Sequence, residues 1–312
     1  MRISVIFFAL LVIFLLSGCF ESIDTSHIDT QYIDVPYGTV SETQTLNIYL
    51  PNEGEGPFPV IVVTHGGGFM SGSATGGDVA DMFEGVNRGY AVASVNYRLS
   101  GEATFPAAVN DVRAAVRFLK ANADLYDLDR DKMAVWGASA GGNLASMVGT
   151  TPNVDALNGD NTENLDYDSS VRAVVDWFGP IEFLAMDEQF ERLGIDPALG
   201  ATDRNRSPES RYIGQRISLD SELTEQANPT AYIDTLDVET APSFFIQHGT
   251  EDANVPLLQS ENFAAALTAV LGEDKVTYHV IEGAGHGTEE FSTEENLDLV
   301  FEFLDEALGM NR

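Results

Sequence analysis

Lys132-Met133-Ala134-Val135-Trp136-Gly137-Ala138-Ser139-Ala140-Gly141-Gly142-Asn143-Leu144-Ala145-Ser146-Met147-Val148 is the stretch whose reading decides the fold. Met133 to Trp136 is an uninterrupted apolar run, the pattern of a strand covered on both faces in a parallel sheet. Asn143 to Val148 has a short apolar helical pattern. Between them, Gly137-Ala138-Ser139-Ala140-Gly141 has the G-x-S-x-G form, in which a serine sits on a strained strand-to-helix turn with its hydroxyl exposed. With 28 glycines in 312 residues, this pentapeptide alone arises by chance in roughly one chain in six. The strand before it and the helix after it give it weight.

A second stretch repeats the pattern upstream. Pro59-Val60-Ile61-Val62-Val63-Thr64 is a β-branched run ending at His65-Gly66-Gly67-Gly68, a tetrapeptide far rarer by composition. A glycine loop at the end of a buried strand can bring backbone N–H groups close to a substrate, because no Cβ stands in the way. Together the two motifs specify acyl chemistry with a serine nucleophile.

Such a serine needs a histidine base, and the imidazole needs a carboxylate that fixes its tautomer and stabilises its cation. Of five histidines, His27 follows the N-terminal segment, His279 lies within a strand pattern, His65 belongs to the glycine loop and His248 ends a strand before Gly249 as a turn anchor. His286, in Gly283-Ala284-Gly285-His286-Gly287, stands in a loop between a strand and the final helix, where an exposed base is expected. The acid should fall between serine and histidine in this chain order. Asp252, in the turn His248-Gly249-Thr250-Glu251-Asp252, is the candidate; Glu251 is the fallback, and helix capping is the competing role for Asp252.

The rest of the pattern alternates strand and helix. Thr45 to Leu50, Tyr90 to Val95, Val171 to Trp177, Ser243 to Gln247 and Val276 to Ile281 read as strands; Pro106 to Ala123, Leu257 to Leu271 and Thr293 to Leu308 read as helices. That order predicts an α/β fold with a mostly parallel central sheet flanked by helices. Residues 181–232 carry helical fragments and no strand, the pattern of a lid insertion. Trp177, Phe178, Phe183 and Tyr212 are its candidate substrate-pocket walls.

At this point the chain resembles the α/β-hydrolases of the hormone-sensitive-lipase-like and acetyl-xylan/feruloyl esterase groups. The likeness rests on the two glycine motifs, Asn96-Tyr97-Arg98-Leu99, Phe105-Pro106 with Asp111, Asp176-Trp177-Phe178-Gly179-Pro180 and His248 to Pro256. It implies a Ser139, Asp252, His286 triad and an oxyanion hole from the backbone N–H groups of Gly67, Gly68 and Ala140. It also implies a serine esterase acting through an acyl-enzyme on short acyl or feruloyl esters of polysaccharide, with no cofactor or metal. A general short-chain carboxylesterase, an amide-cleaving peptidase or arylformamidase, and a non-catalytic binding protein are the alternatives.

Composition adds boundaries. With 16 basic and 49 acidic residues the net charge is −33, which repels nucleic acid and anionic lipid and suits solubility in a saline habitat. Asn158 to Asn164 reads as a polar surface loop whose aspartate spacing does not match a calcium loop. The single cysteine excludes an intrachain disulfide. Cys19 follows the apolar run Ile3 to Leu16 and Ser17-Gly18, which is similar to a bacterial lipoprotein signal. The expectation is a signal peptide over 1–18, a tether and N-terminal segment over 19–39, a hydrolase domain over 40–312, and an enzyme held at the cell envelope by lipid on Cys19. No protein partner is inferred.

Overall fold

The structure, a computed structural model, describes residues 22–310. The Cys19 lipidation site and the 1–18 signal segment lie outside the described residues.

Eight strands form one sheet in the order β1-β2-β4-β3-β5-β6-β7-β8. They are β1 Gln31–Pro36, β2 Thr45–Tyr49, β3 Phe58–Thr64, β4 Ala91–Val95, β5 Leu128–Ala138, β6 Ala173–Trp177, β7 Ser243–Gly249 and β8 Val276–Ile281. β2 pairs antiparallel with both β1 and β4, and every pairing from β4 across to β8 is parallel. β3, β4 and β6 are buried at every position, as their apolar runs predict.

Alternate residues feed two cores. Val60, Val62, Ala93 and Val135 face the helices Ala107–Ala121, Ala140–Thr150 and Leu258–Leu271; Ile61, Val63, Val92 and Trp136 face the 77–83 turn helix and the terminal helix Glu294–Ala307. This is the α/β-hydrolase architecture, and it aims the C-terminal ends of β3, β5, β7 and β8 at one edge of the sheet. Asp111, fully buried on the first of these helices, accepts from Arg98 Nε at 2.8 Å and from Gln44 Nε2 at 2.7 Å, tying down the loop after β4.

Two regions show detail beyond the sequence expectation. Within the 19–39 tether and N-terminal segment, Gln31–Pro36 is an edge strand and Ile28 is buried, so this part packs on the body of the protein. The Asn158 to Asn164 loop is a clamp: Asn158 Oδ1 accepts from Arg113 at 3.1 Å and Arg117 at 2.9 Å. Among the described residues no group of three or more His, Cys, Asp or Glu side chains converges as metal ligands do, and no helix is long and apolar enough to cross a membrane.

Candidate active site

Ser139 lies at the junction of β5 and the helix Ala140–Thr150 with φ 55° and ψ −123°, a conformation a non-glycine residue holds only under constraint. Its neighbours show the constraint. A Cβ on Gly137 would stand 2.1 Å from the Gly141 carbonyl oxygen, and one on Gly141 would stand 2.0 Å from that of Thr64. Glycine is therefore the residue that lets β3 and the new helix close on the turn, and the Ser139 N–H is held by the Trp177 carbonyl at 2.8 Å.

The histidine and acid arrive on neighbouring strands. Because β7 and β8 are adjacent and parallel, the loops that follow them run side by side: Thr250 N–H donates to the Ile281 carbonyl at 3.1 Å and Glu251 N–H to that of Ala284 at 2.9 Å. This closes the 34-residue separation between Asp252 and His286. Asp252 Oδ2 accepts His286 Nδ1–H at 2.7 Å. That leaves Nε2 as the acceptor facing the Ser139 hydroxyl at 2.9 Å. Asp252 Oδ1 takes the N–H groups of Asn254 and Val255 at 2.8 and 2.9 Å. Glu251, the fallback acid, is exposed and outside this line.

Burial by itself would raise the Asp252 pKa, but hydrogen bonds from His248 and His286 outweigh it and hold the carboxyl well below the ordinary range. His248 is the residue that sequence reasoning missed. Fully buried, it shares its Nε2–H between the Val255 carbonyl at 2.9 Å and Asp252 Oδ2 at 3.3 Å, while Nδ1 accepts from the Ser260 hydroxyl at 2.7 Å. Its spacing of four before Asp252 was the available signal.

The glycine loop lines the same cleft, which encloses about 1140 Å³. Gly66 N–H is committed to the Asp78 carboxylate at 2.7 Å. Gly67 and Gly68, at φ 93° and 60°, and Ala140 at the start of the helix line the cleft beside Ser139. The His65 ring stacks on Tyr97 at 4.2 Å between centroids and bonds to the Gly66 carbonyl, so it shapes the loop.

Of the four expected pocket aromatics, Trp177 and Phe178 line the cleft. Phe178 also lies 4.6 Å from the His286 ring, centroid to centroid. Phe183 and Tyr212 do not line it. Both are buried behind Phe69: Tyr212 stacks on the Phe69 ring at 3.8 Å, and Phe183 meets both rings edge-on. Phe69, directly after the glycine loop and itself at φ 60°, forms the wall that was expected of them. Short helices between Phe183 and Thr235 make up the rest of this side, and Leu199, Arg204, Arg206, Pro208 and Glu209 reach the cleft.

The BD-FAE family model matches residues 46–267, which holds Ser139, Asp252 and both glycine motifs. The chain belongs to the BD-FAE family. In solved structures it is similar to a truncated carbohydrate esterase from gut microbiota, with TM-score 0.81, 27% identity and coverage of 93% of this chain and 100% of that one. It is also similar to a bifunctional GH43-CE protein of Bacteroides eggerthii, with TM-score 0.77, 32% identity and coverage of 89% of this chain and 35% of the other. In sequence it matches Esterase LipC of Mycobacterium tuberculosis at 28% identity over 235 residues, 74% of this chain and 53% of that protein. LipM, a probable carboxylic ester hydrolase of the same organism, matches at 28% over 76% of this chain and 52% of its own length. The chain thus spans about half the length of these relatives.

Proposed function

We propose that this protein is a serine ester hydrolase that works through an acyl-enzyme on acyl esters of carbohydrate. The observation that carries the reading is the unbroken line from Asp252 through His286 to the Ser139 hydroxyl, set in an open cleft lined by three backbone N–H-bearing residues, Gly67, Gly68 and Ala140.

The chemistry follows from that line. His286 Nε2 takes the Ser139 proton as Oγ attacks the ester carbonyl. Asp252, kept ionised by its donors, stabilises the imidazolium that forms. The N–H groups of Gly67, Gly68 and Ala140 meet the charge developing on the carbonyl oxygen, and losing one such donor costs about 3 kcal/mol of barrier. The alcohol leaves with the proton from His286, and water then attacks the acyl-enzyme by the same route. The His-Gly-Gly-Gly loop favours esters over peptide amides. Carbohydrate is favoured as the alcohol by the two structural relatives whose descriptions name carbohydrate or CE chemistry. Anchoring to the cell envelope through lipid on Cys19 belongs to the same proposal, supported by the apolar run before that cysteine; intact mass of membrane-extracted protein, with or without an acylated Cys19, tests it.

The activity test is hydrolysis of matched acetyl, butyryl, octanoyl and feruloyl esters and acetylated xylan by the chain and by Ser139→Ala. Release from acetyl or feruloyl glycan esters that falls by about 10⁶-fold in Ser139→Ala supports the reading. Turnover of simple short acyl esters only leaves a general carboxylesterase, and no Ser139-dependent ester turnover overturns it.

A further inference from the structure

The cleft has one basic wall in a strongly acidic molecule. Between positions 203 and 216 stand Arg204, Arg206, Arg211 and Arg216, four of the 16 basic residues, against Asp203 and Glu209. Arg216 is neutralised by Asp203 at 2.6 Å. Arg204 and Arg206 both line the cleft and are exposed. Neither forms an ion pair among the described residues: Arg204 donates from Nε to the Ala201 carbonyl at 3.0 Å and from Nη2 to the Leu199 carbonyl, whereas no hydrogen-bond partner for Arg206 is found among them.

Two carboxylates, Asp78 and Asp81, also line the cleft, and each is hydrogen-bonded. Asp78 accepts the Gly66 N–H and Asp81 the Ser292 hydroxyl, both at 2.7 Å. Glu209 lies on the arginine side but is buried, and desolvation pushes its carboxyl up to about 7, which weakens it as a counter-charge at neutral pH. The basic wall is close to the reacting centre, since Pro208, between Arg206 and Glu209, stands 3.1 Å from where a Cβ on Gly68 would be. A guanidinium with unused donors is a planar fork that matches a carboxylate in two hydrogen bonds.

We infer that the cleft selects esters that carry a carboxylate near the scissile bond, bound by Arg206 with Arg204 beside it, so that its carbohydrate substrate is an acidic one such as an acylated uronic acid. The inference rests on the ester-hydrolase reading. On the rest of the surface, where acidic residues outnumber basic ones, such a group is repelled; at the arginine wall it is attracted, so the charge asymmetry orients the substrate as well as binding it.

The test compares kcat/KM for acetylated methyl galacturonoside with that for acetylated methyl galactoside, which differ only in carboxylate against hydroxymethyl. An aryl hemisuccinate against the aryl acetate places the carboxylate on the acyl side instead. At low salt, one of the two acidic esters is expected to be preferred about three- to fivefold, the size of an exposed ion pair. The preference should lie in KM, shrink toward unity at 1 M salt, and drop in Arg206→Gln and again in Arg204→Gln/Arg206→Gln. No preference for either acidic ester in the native protein, or a preference insensitive to salt and to both variants, overturns it. A neutral ester turned over with Ser139 dependence but without acidic preference removes this inference alone; absence of all ester turnover removes the function reading beneath it.

Discussion

The two sides of the cleft are built on different principles. On the sheet side, backbone sterics leave little choice: Gly137 and Gly141 approach carbonyl oxygens to within 2.1 Å of a would-be Cβ, and Ser139 is locked at positive φ between them. On the side of the short helices between Phe183 and Thr235, side-chain packing decides. Tyr212 stacks on Phe69 and Phe183 meets both rings edge-on, and a carboxylate, Glu209, is buried among charged neighbours at some cost. The first side allows one solution for the reacting groups; the second leaves room for substrate specificity to vary.

Substitutions on the two sides should therefore differ in sign as well as size. The largest effect is expected from Gly141→Ala, which drives a Cβ into the Thr64 and His65 carbonyl oxygens at 2.0 and 2.7 Å. Backbone cannot yield as a side-chain tip can, so a loss of several kcal/mol is expected. Soluble protein with a native-like thermal midpoint would show that the turn has slack the geometry denies.

Across the cleft, Glu209→Gln is expected to stabilise. The Glu209 carboxyl is raised by burial first and by Asp187 next, against the lowering by Ser207 and Arg204, from 4.5 to about 7. Between those values the folded protein binds more protons than the unfolded chain, so the carboxyl's contribution to stability is fully present below pH 4.5 and is lost as pH rises through 7. The Gln variant should match the native protein near pH 4.5 and exceed it by about 3 kcal/mol above pH 7. Parallel urea curves at pH 5 and 8 check this; a gap that does not widen with pH contradicts it.

The smallest effect brings the comparison back to the sheet side. His248→Ala removes one donor from Asp252 and leaves the Ser260 hydroxyl and Val255 carbonyl without their partner. A loss of about 2 kcal/mol is expected, and because the donors keep Asp252 ionised, the acid limb of the kcat/KM profile should move up in pH. An unchanged acid limb would mean that His248 only fills space.

The same contrast explains what was legible in the sequence. β3 and β5 lie within a few residues of their apolar runs because a strand buried on both faces has no other composition. The Ser139 turn was legible because its glycines are sterically required. β1 was not separated from the N-terminal segment, since Gln31-Tyr-Ile-Asp-Val-Pro36 is a half-exposed edge strand ending in proline, with a broken alternation. Phe183 and Tyr212 read as pocket walls from their place in the 181–232 insertion, whereas whether an aromatic lines a cleft or backs its wall depends on Phe69, from a distant loop. His248 reads as a turn anchor until the Val255 carbonyl and Ser260 fold back on it.

The central claim is that Ser139 is the nucleophile of an acyl-transfer site assembled by the sheet. Intact-mass measurement after reaction with an organophosphonate ester tests it most directly, with peptide mapping of the adduct. One adduct per chain, located on Ser139, absent from Ser139→Ala and slow to form in His286→Ala, is the expected result. A native protein that stays unlabelled, or that carries its adduct elsewhere, would contradict it.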